Sequence, residues 1–108
     1  MNERAVQTQT PTLADLQALR EEILRIADKN GAANVRVFGS VARGDAIESS
    51  DFDILVDIIA DVDGFEYFGV LEDLRRDLEA LLGRHVDIVD SAALKTKGKR
   101  ILGEAVPL

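Results

Sequence analysis

Apolar residues recur along the chain in two rhythms, and each change of rhythm marks a boundary between elements. Leu13, Leu16, Leu19, Ile23, Ile26 and Ala27 stand mostly three or four positions apart, the spacing that lines one face of an α-helix. Thr12 followed by Asp15 has the form of a capping box with Asp in place of Glu. The pattern predicts a first helix over about 13–29, stopped by Asn30-Gly31, with its stripe turned to a core. Val35 to Phe38 is a short run with β-branched residues that halts at Gly39-Ser40, which predicts a strand ending in a turn. From Asp51 to Ile58 the rhythm becomes strict alternation, with Phe52, Ile54, Val56 and Ile58 on one face and Asp51, Asp53, Leu55 and Asp57 on the other. After an acidic turn over 60–64, helical spacing returns in Phe65, Phe68, Leu71, Leu74, Leu78 and Leu81. A second long helix is expected there, interrupted early by Gly69 and closed by Gly83. Phe65 and Phe68 read as core or interface residues, and the pattern does not assign Tyr67. Val86 to Val89 then forms a third strand.

These elements fix a topology. A strand, a helix and a strand within this length make a right-handed crossover, so the second and third strands are parallel. The connection between the first and second is short, which makes them antiparallel neighbours. The expected fold class is α/β (α+β), a small mixed three-stranded sheet flanked by helices. Residues 12–108 form its one domain, and residues 1–11, polar and carrying Pro11, are a frayed terminus. In the tail, Lys95, Lys97, Lys99 and Arg100 precede Ile101-Leu102. They read as a solvated basic turn leading into a short helix that covers the sheet; the competing reading is contact with a triphosphate or a partner.

Composition narrows the chemistry. A length of 108 residues suits one small domain with a modest core. A net charge of −7 disfavours a general nucleic-acid surface, which needs basic patches. The absence of cysteine excludes disulfides, thiolate metal sites and Cys nucleophiles. There is no apolar signal core after Met1, nor a run of the roughly 18 apolar residues that a membrane span requires. A cytoplasmic protein is expected.

The candidate chemistry lies in residues 35–58. A strand that passes through Gly39-Ser40 into a helix start exposes backbone N–H groups to an anion, because glycine has no side chain in the way. Ser40 takes the N-cap position in this reading, and Gly44 closes one helical turn over 40–43. An ordinary capped turn has the same appearance. Asp51 and Asp53 lie side by side at i and i+2, with Cα atoms roughly 6.5–7 Å apart. Carboxylates brought to about 4 Å repel by on the order of 4 kcal/mol at a protein-surface dielectric. Either they are solvated strand residues or something cationic offsets the repulsion. Antiparallel pairing sets Gly39 and Ser40 beside Asp51 and Asp53. The parallel third strand begins at the same sheet edge, so Asp87 joins the pair on its face, while Asp90 has the wrong phase. His85 shares the phase of Asp87 and reads as a solvated edge histidine.

Gly39-Ser40, then Ala42-Arg43-Gly44, then Asp51-x-Asp53, resembles the signature of the polymerase-β-type nucleotidyltransferase superfamily. More closely, it is similar to the minimal nucleotidyltransferase (MNT) proteins encoded beside HEPN toxins. The resemblance implies a nucleotidyltransferase, palm-like fold and Mg²⁺-dependent transfer of AMP from ATP to a hydroxyl. It implies that Asp51 and Asp53 bind two Mg²⁺ ions and that Asp87 binds the ion nearer the acceptor and takes the hydroxyl proton. Gly39 and Ser40 would hold the β- and γ-phosphates. Arg43 would either neutralise the triphosphate or form a surface ion pair with Asp45 or Glu48. The acceptor implied is a tyrosine of a partner HEPN ribonuclease toxin in a hetero-oligomer, with the chain acting as antitoxin. Two other functions stay open, a non-catalytic partner-binding antitoxin or scaffold and a small-molecule nucleotidyltransferase subunit.

Overall fold

The computed structural model describes residues 9–94 and 98–108. The expected first helix is two: α1, Leu13–Ala18, and α2, Arg20–Lys29. Thr12 and Asp15 form the predicted reciprocal cap. At Leu19 the N–H bonds back three residues to Leu16 at 3.1 Å, a tightened turn that breaks the helix. The apolar rhythm runs through this break, since Leu16 and Ile23 on its two sides are both fully buried, and so the sequence reads as one helix.

Strand β1 spans Ala32–Phe38, starting three residues before the apolar run. Asn34 sits at φ +55 beside a shift of register between Ala33 and Arg36, and this bulge hides the strand's beginning from any alternating pattern. A short helix α3, Gly39–Arg43, follows directly. Its N-cap is Phe38 and not Ser40, a correction to the sequence reading: the cap falls two residues early, and Gly39 takes φ +74 in the turn. Gly44 closes the helix in the left-handed conformation, as expected.

Strand β2, Phe52–Ile58, leads through the long helix α4, Gly64–Leu82, to strand β3, Val86–Asp90. Gly83 ends α4 in the left-handed region. A 3₁₀ turn at Ser91–Ala93, helix α5 at Gly98–Glu104 and a two-residue strand β4, Val106–Pro107, complete the described chain. Among the described residues the sheet has four strands in the order β3-β2-β1-β4, with β2 and β3 parallel and the other pairs antiparallel. The fourth strand escaped the sequence because two residues carry no period.

Phe52, Ile54 and Val56 of β2 pack with Leu16, Ile23, Leu74, Leu78 and Val86, all at most 3% exposed. This is the predicted core face. The buried area drives association of helices and sheet, at roughly 1.5–3 kcal/mol for each large side chain. Leu55, on the aspartate face, is also fully buried. Phe65 and Phe68 do not join the core; they are 95% and 67% exposed at the start of α4. That end of the helix is tied down instead by Tyr67, whose hydroxyl donates to the buried Asp90 at 2.6 Å. Among the described residues no helix is long and apolar enough to cross a membrane.

Candidate active site

Two strand registers assemble the site. In the antiparallel pair Phe38 faces Asp53, so Gly39 emerges beside Asp53. In the parallel pair Asp53 faces Asp87, which puts both carboxyls on one face of neighbouring strands. Asp51, one residue before β2, completes the group: Asp51, Asp87 and His85 each present a ligand atom within 4.8 Å of the others.

The cluster is electrostatically uncomfortable. Burial, then the charges of Asp87 and Asp51 and a hydrogen bond between the Asp53 and Asp87 carboxyls, push Asp53 up to about 6, while Arg43 only weakly opposes them. Acids crowded in this way either share a proton or need a cation. The donor set fits magnesium, a hard ion that prefers carboxylate oxygens.

Gly39 makes the close packing possible. A Cβ there would collide with the Asp53 carboxylate, and its positive φ already favours glycine. Its N–H donates to Glu104 Oε1 at 2.9 Å, and the same oxygen accepts from Arg43 Nη1 at 3.0 Å. Thus a carboxylate from α5 rests where the sequence reading expects a phosphate. Arg43 also pairs with Asp45 at 3.3 Å, and these partners, Asp45 foremost, raise its pKa. The expected surface pair with Asp45 is present, with Glu104 in place of Glu48.

A cavity of about 760 Å³ opens at this corner, lined by Phe38, Gly39, Arg43, Lys99, Arg100, Ile101 and Glu104. Half of the basic cluster therefore borders the Gly39 turn. Lys95 and Lys97 lie outside the described residues.

The structure brings Asp51, Asp53, Asp87 and Gly39 together and puts Ser40 in the first turn of α3. Sequence reasoning missed Glu104 and Glu79. Glu79 accepts from His85 Nδ1 at 2.8 Å and from the Val86 N–H at 2.9 Å, while His85 Nε2 lies 3.2 Å from Asp87 Oδ1. His85 is thus partnered on both ring nitrogens. Burial lowers its pKa, and the carboxylates of Asp51, Asp87 and Glu79 outweigh that to raise it. Glu79 could have been suspected from its place on the last turn of α4; Glu104, 65 residues from Gly39, gives no local signal.

Residues 18–106 match the family model of the nucleotidyltransferase domain. The chain belongs to this family. It is similar to the protein adenylyltransferase MntA of Thermococcus cleftensis, 42% identical over 82 residues that cover 75% of this chain and 79% of the relative. A solved structure described as a minimal nucleotidyltransferase superposes with a TM-score of 0.76 at 41% identity, covering 91% of this chain and 97% of that one. A toxin–antitoxin crystal structure with AMP-PNP shares the fold, with a TM-score of 0.63 at 22% identity over 81% of this chain and 69% of that one. The nucleotidyltransferase, palm-like fold expected from the motif is therefore correct, with the strand count raised from three to four.

Proposed function

We propose that this domain, residues 12–108, transfers AMP from ATP to a tyrosine hydroxyl of a partner HEPN ribonuclease toxin, and so acts in the cytoplasm as its antitoxin. The observation that carries the reading is the Asp51, Asp53 and Asp87 cluster beside the Gly39 amide: it concentrates negative charge where a divalent ion and a triphosphate can offset it. The name of the Thermococcus relative supports a protein acceptor, and the toxin–antitoxin neighbour supports a toxin partner.

In this reading Asp51 and Asp53 hold two Mg²⁺ ions, and Asp87 helps hold the one nearer the acceptor. Bound there, magnesium supplies positive charge for the oxygens on which charge develops during phosphoryl transfer. Gly39 and Ser40 bind the β- and γ-phosphates through backbone N–H groups and the Ser hydroxyl. Arg43 turns from Glu104 to the triphosphate and neutralises it. Asp87 accepts the proton of the attacking hydroxyl at a carboxylate oxygen, and the hydroxyl oxygen attacks the α-phosphate in line as its bond to the bridging oxygen breaks and pyrophosphate leaves.

The test is co-purification with a HEPN partner followed by intact-mass measurement after incubation with ATP and Mg²⁺. A gain of AMP mass on the partner is expected, abolished in the Asp51→Asn/Asp53→Asn double variant with its thermal melt preserved. Equal transfer by the double variant refutes the reading. A captured partner that gains no mass points to a non-catalytic antitoxin, and transfer to a small hydroxyl compound without a partner points to a small-molecule enzyme.

A further inference from the structure

We propose that His85 is a positioning residue that holds the Asp87 carboxylate in the orientation the reaction needs, and that Glu79 in turn holds His85. The inference rests on the reading of Asp87 given above. Strand β3 is an edge of the sheet, and the Asp87 side chain is 53% exposed. Neither packing nor the ladder fixes its rotamer; its hydrogen bond with the Asp53 carboxyl is lost once both acids are ionised, and the charges of Asp51 and Asp53 then push it outward.

What counteracts this is a chain of side chains that starts on α4. Arg75 Nη1 donates to Glu79 Oε1 at 2.8 Å, and the backbone N–H of Val86 donates to Glu79 Oε2 at 2.9 Å. Glu79 is therefore anchored to its own helix and to the first residue of β3. Its Oε2 also accepts from His85 Nδ1 at 2.8 Å. Carboxylates only accept, so both contacts need N–H donors: as the imidazolium, the ring donates from Nδ1 to Glu79 and from Nε2 to Asp87 Oδ1, 3.2 Å away. With one Asp87 oxygen occupied by the ring, the other is left for an ion or a hydroxyl. Partners that stand behind a ligating carboxylate in this way typically change metal affinity or activity by about 10–100-fold when removed.

A purely structural role makes a different prediction. The His85 side chain is 51% exposed, and its removal leaves the Arg75 and Val86 bonds to Glu79 in place, so the fold should be indifferent to it. The experiment uses the full chain with its acceptor partner. Mn²⁺ uptake is followed by electron paramagnetic resonance of the free ion, and steady-state transfer is measured alongside.

In His85→Ala, Mn²⁺ affinity and kcat should each fall about tenfold, with the KM for ATP and the melting temperature unchanged. His85→Gln, whose amide can still donate to Asp87, should recover part of both. Glu79→Gln should act in the same direction as His85→Ala, and the two changes combined should cost no more than His85→Ala alone. Wild-type Mn²⁺ affinity and kcat in His85→Ala, or losses that add in the double variant, would overturn the inference while leaving the proposed function standing. A wild-type protein that neither takes up Mn²⁺ nor transfers AMP removes the proposed function and this inference with it.

Discussion

Asp53 and Asp57 stand on one strand and one face of the sheet, and their carboxyls are driven in opposite directions. Asp53 is pushed up to about 6 by burial and by the charges of Asp87 and Asp51. Asp57 is held below the ordinary carboxylate range by hydrogen bonds from the Ser91 hydroxyl and the Asn34 amide, with the Arg36 guanidinium 2.6 Å away. The two ends of β2 thus use the same residue type for opposite purposes. At the Asp57 end the protein supplies its own cation and donors, and the acid stabilises the fold. At the Asp53 end compensation is incomplete, and the cost is tolerated because the neutralising charge can come from outside.

Exchanging each acid for its amide is the sharpest way to separate the two ends. Asp53→Asn should reduce nucleotide transfer by at least about 1,000-fold, since it removes several kcal/mol of charge stabilisation, and should not lower the melting temperature of metal-free protein. Asp57→Asn should leave transfer near wild type and cost about 1 kcal/mol of stability, a half-exposed network being partly screened. Loss of stability in the first variant, or loss of transfer in the second, would break the comparison. Calorimetry and a labelled-ATP assay read both.

Next in size is Gly39→Ala. The added methyl collides with the Asp53 carboxylate and sits on a strained φ, so Asp53 must move; a displacement of about 1 Å costs on the order of 100-fold in transfer. Normal transfer by this variant would show that Asp53 does not need its place against Gly39.

The smallest effect is in pH dependence. The folded-state pKa of Asp53 lies above its unfolded value, so its favourable contribution is present below the ordinary value of 3.8 and is lost as pH rises through about 6. Asp57 has the opposite sign: its contribution is present above its unfolded value and is lost as pH falls through its lowered folded value. Metal-free wild type should therefore gain a few degrees of melting temperature relative to Asp53→Asn between about pH 7 and pH 5. It should lose its advantage over Asp57→Asn only at more acid pH. Magnesium should suppress the first difference and not the second.

Much of this asymmetry was legible in the sequence, for identifiable reasons. Strict alternation from Asp51 to Ile58 and the crossover through α4 were enough to put Asp53 and Asp87 on one face, and the register of Asp53 against Asp87 bears that out. The Gly39-Ser40 turn was readable as a turn, but its cap was misplaced by two residues, because the positive φ of Gly39, with Asp53 lying against it, is a tertiary feature. The neutralising partners were illegible. Arg36, Asn34 and Ser91 reach Asp57 from β1 and from beyond β3, and no one-dimensional pattern records a cation 21 residues away. Phe65 and Phe68 show the opposite limit: helical spacing offered core or interface, the structure excludes the core, and spacing says nothing of whether that face finds a neighbour.

The Gly39 amide has one hydrogen, and Glu104 already holds it. Any other acceptor that takes this donor must first evict a tenant whose oxygen also binds Arg43. Eviction of Glu104 would therefore free the amide and the guanidinium in one motion, so an anion that displaces this single carboxylate gains two donors at once.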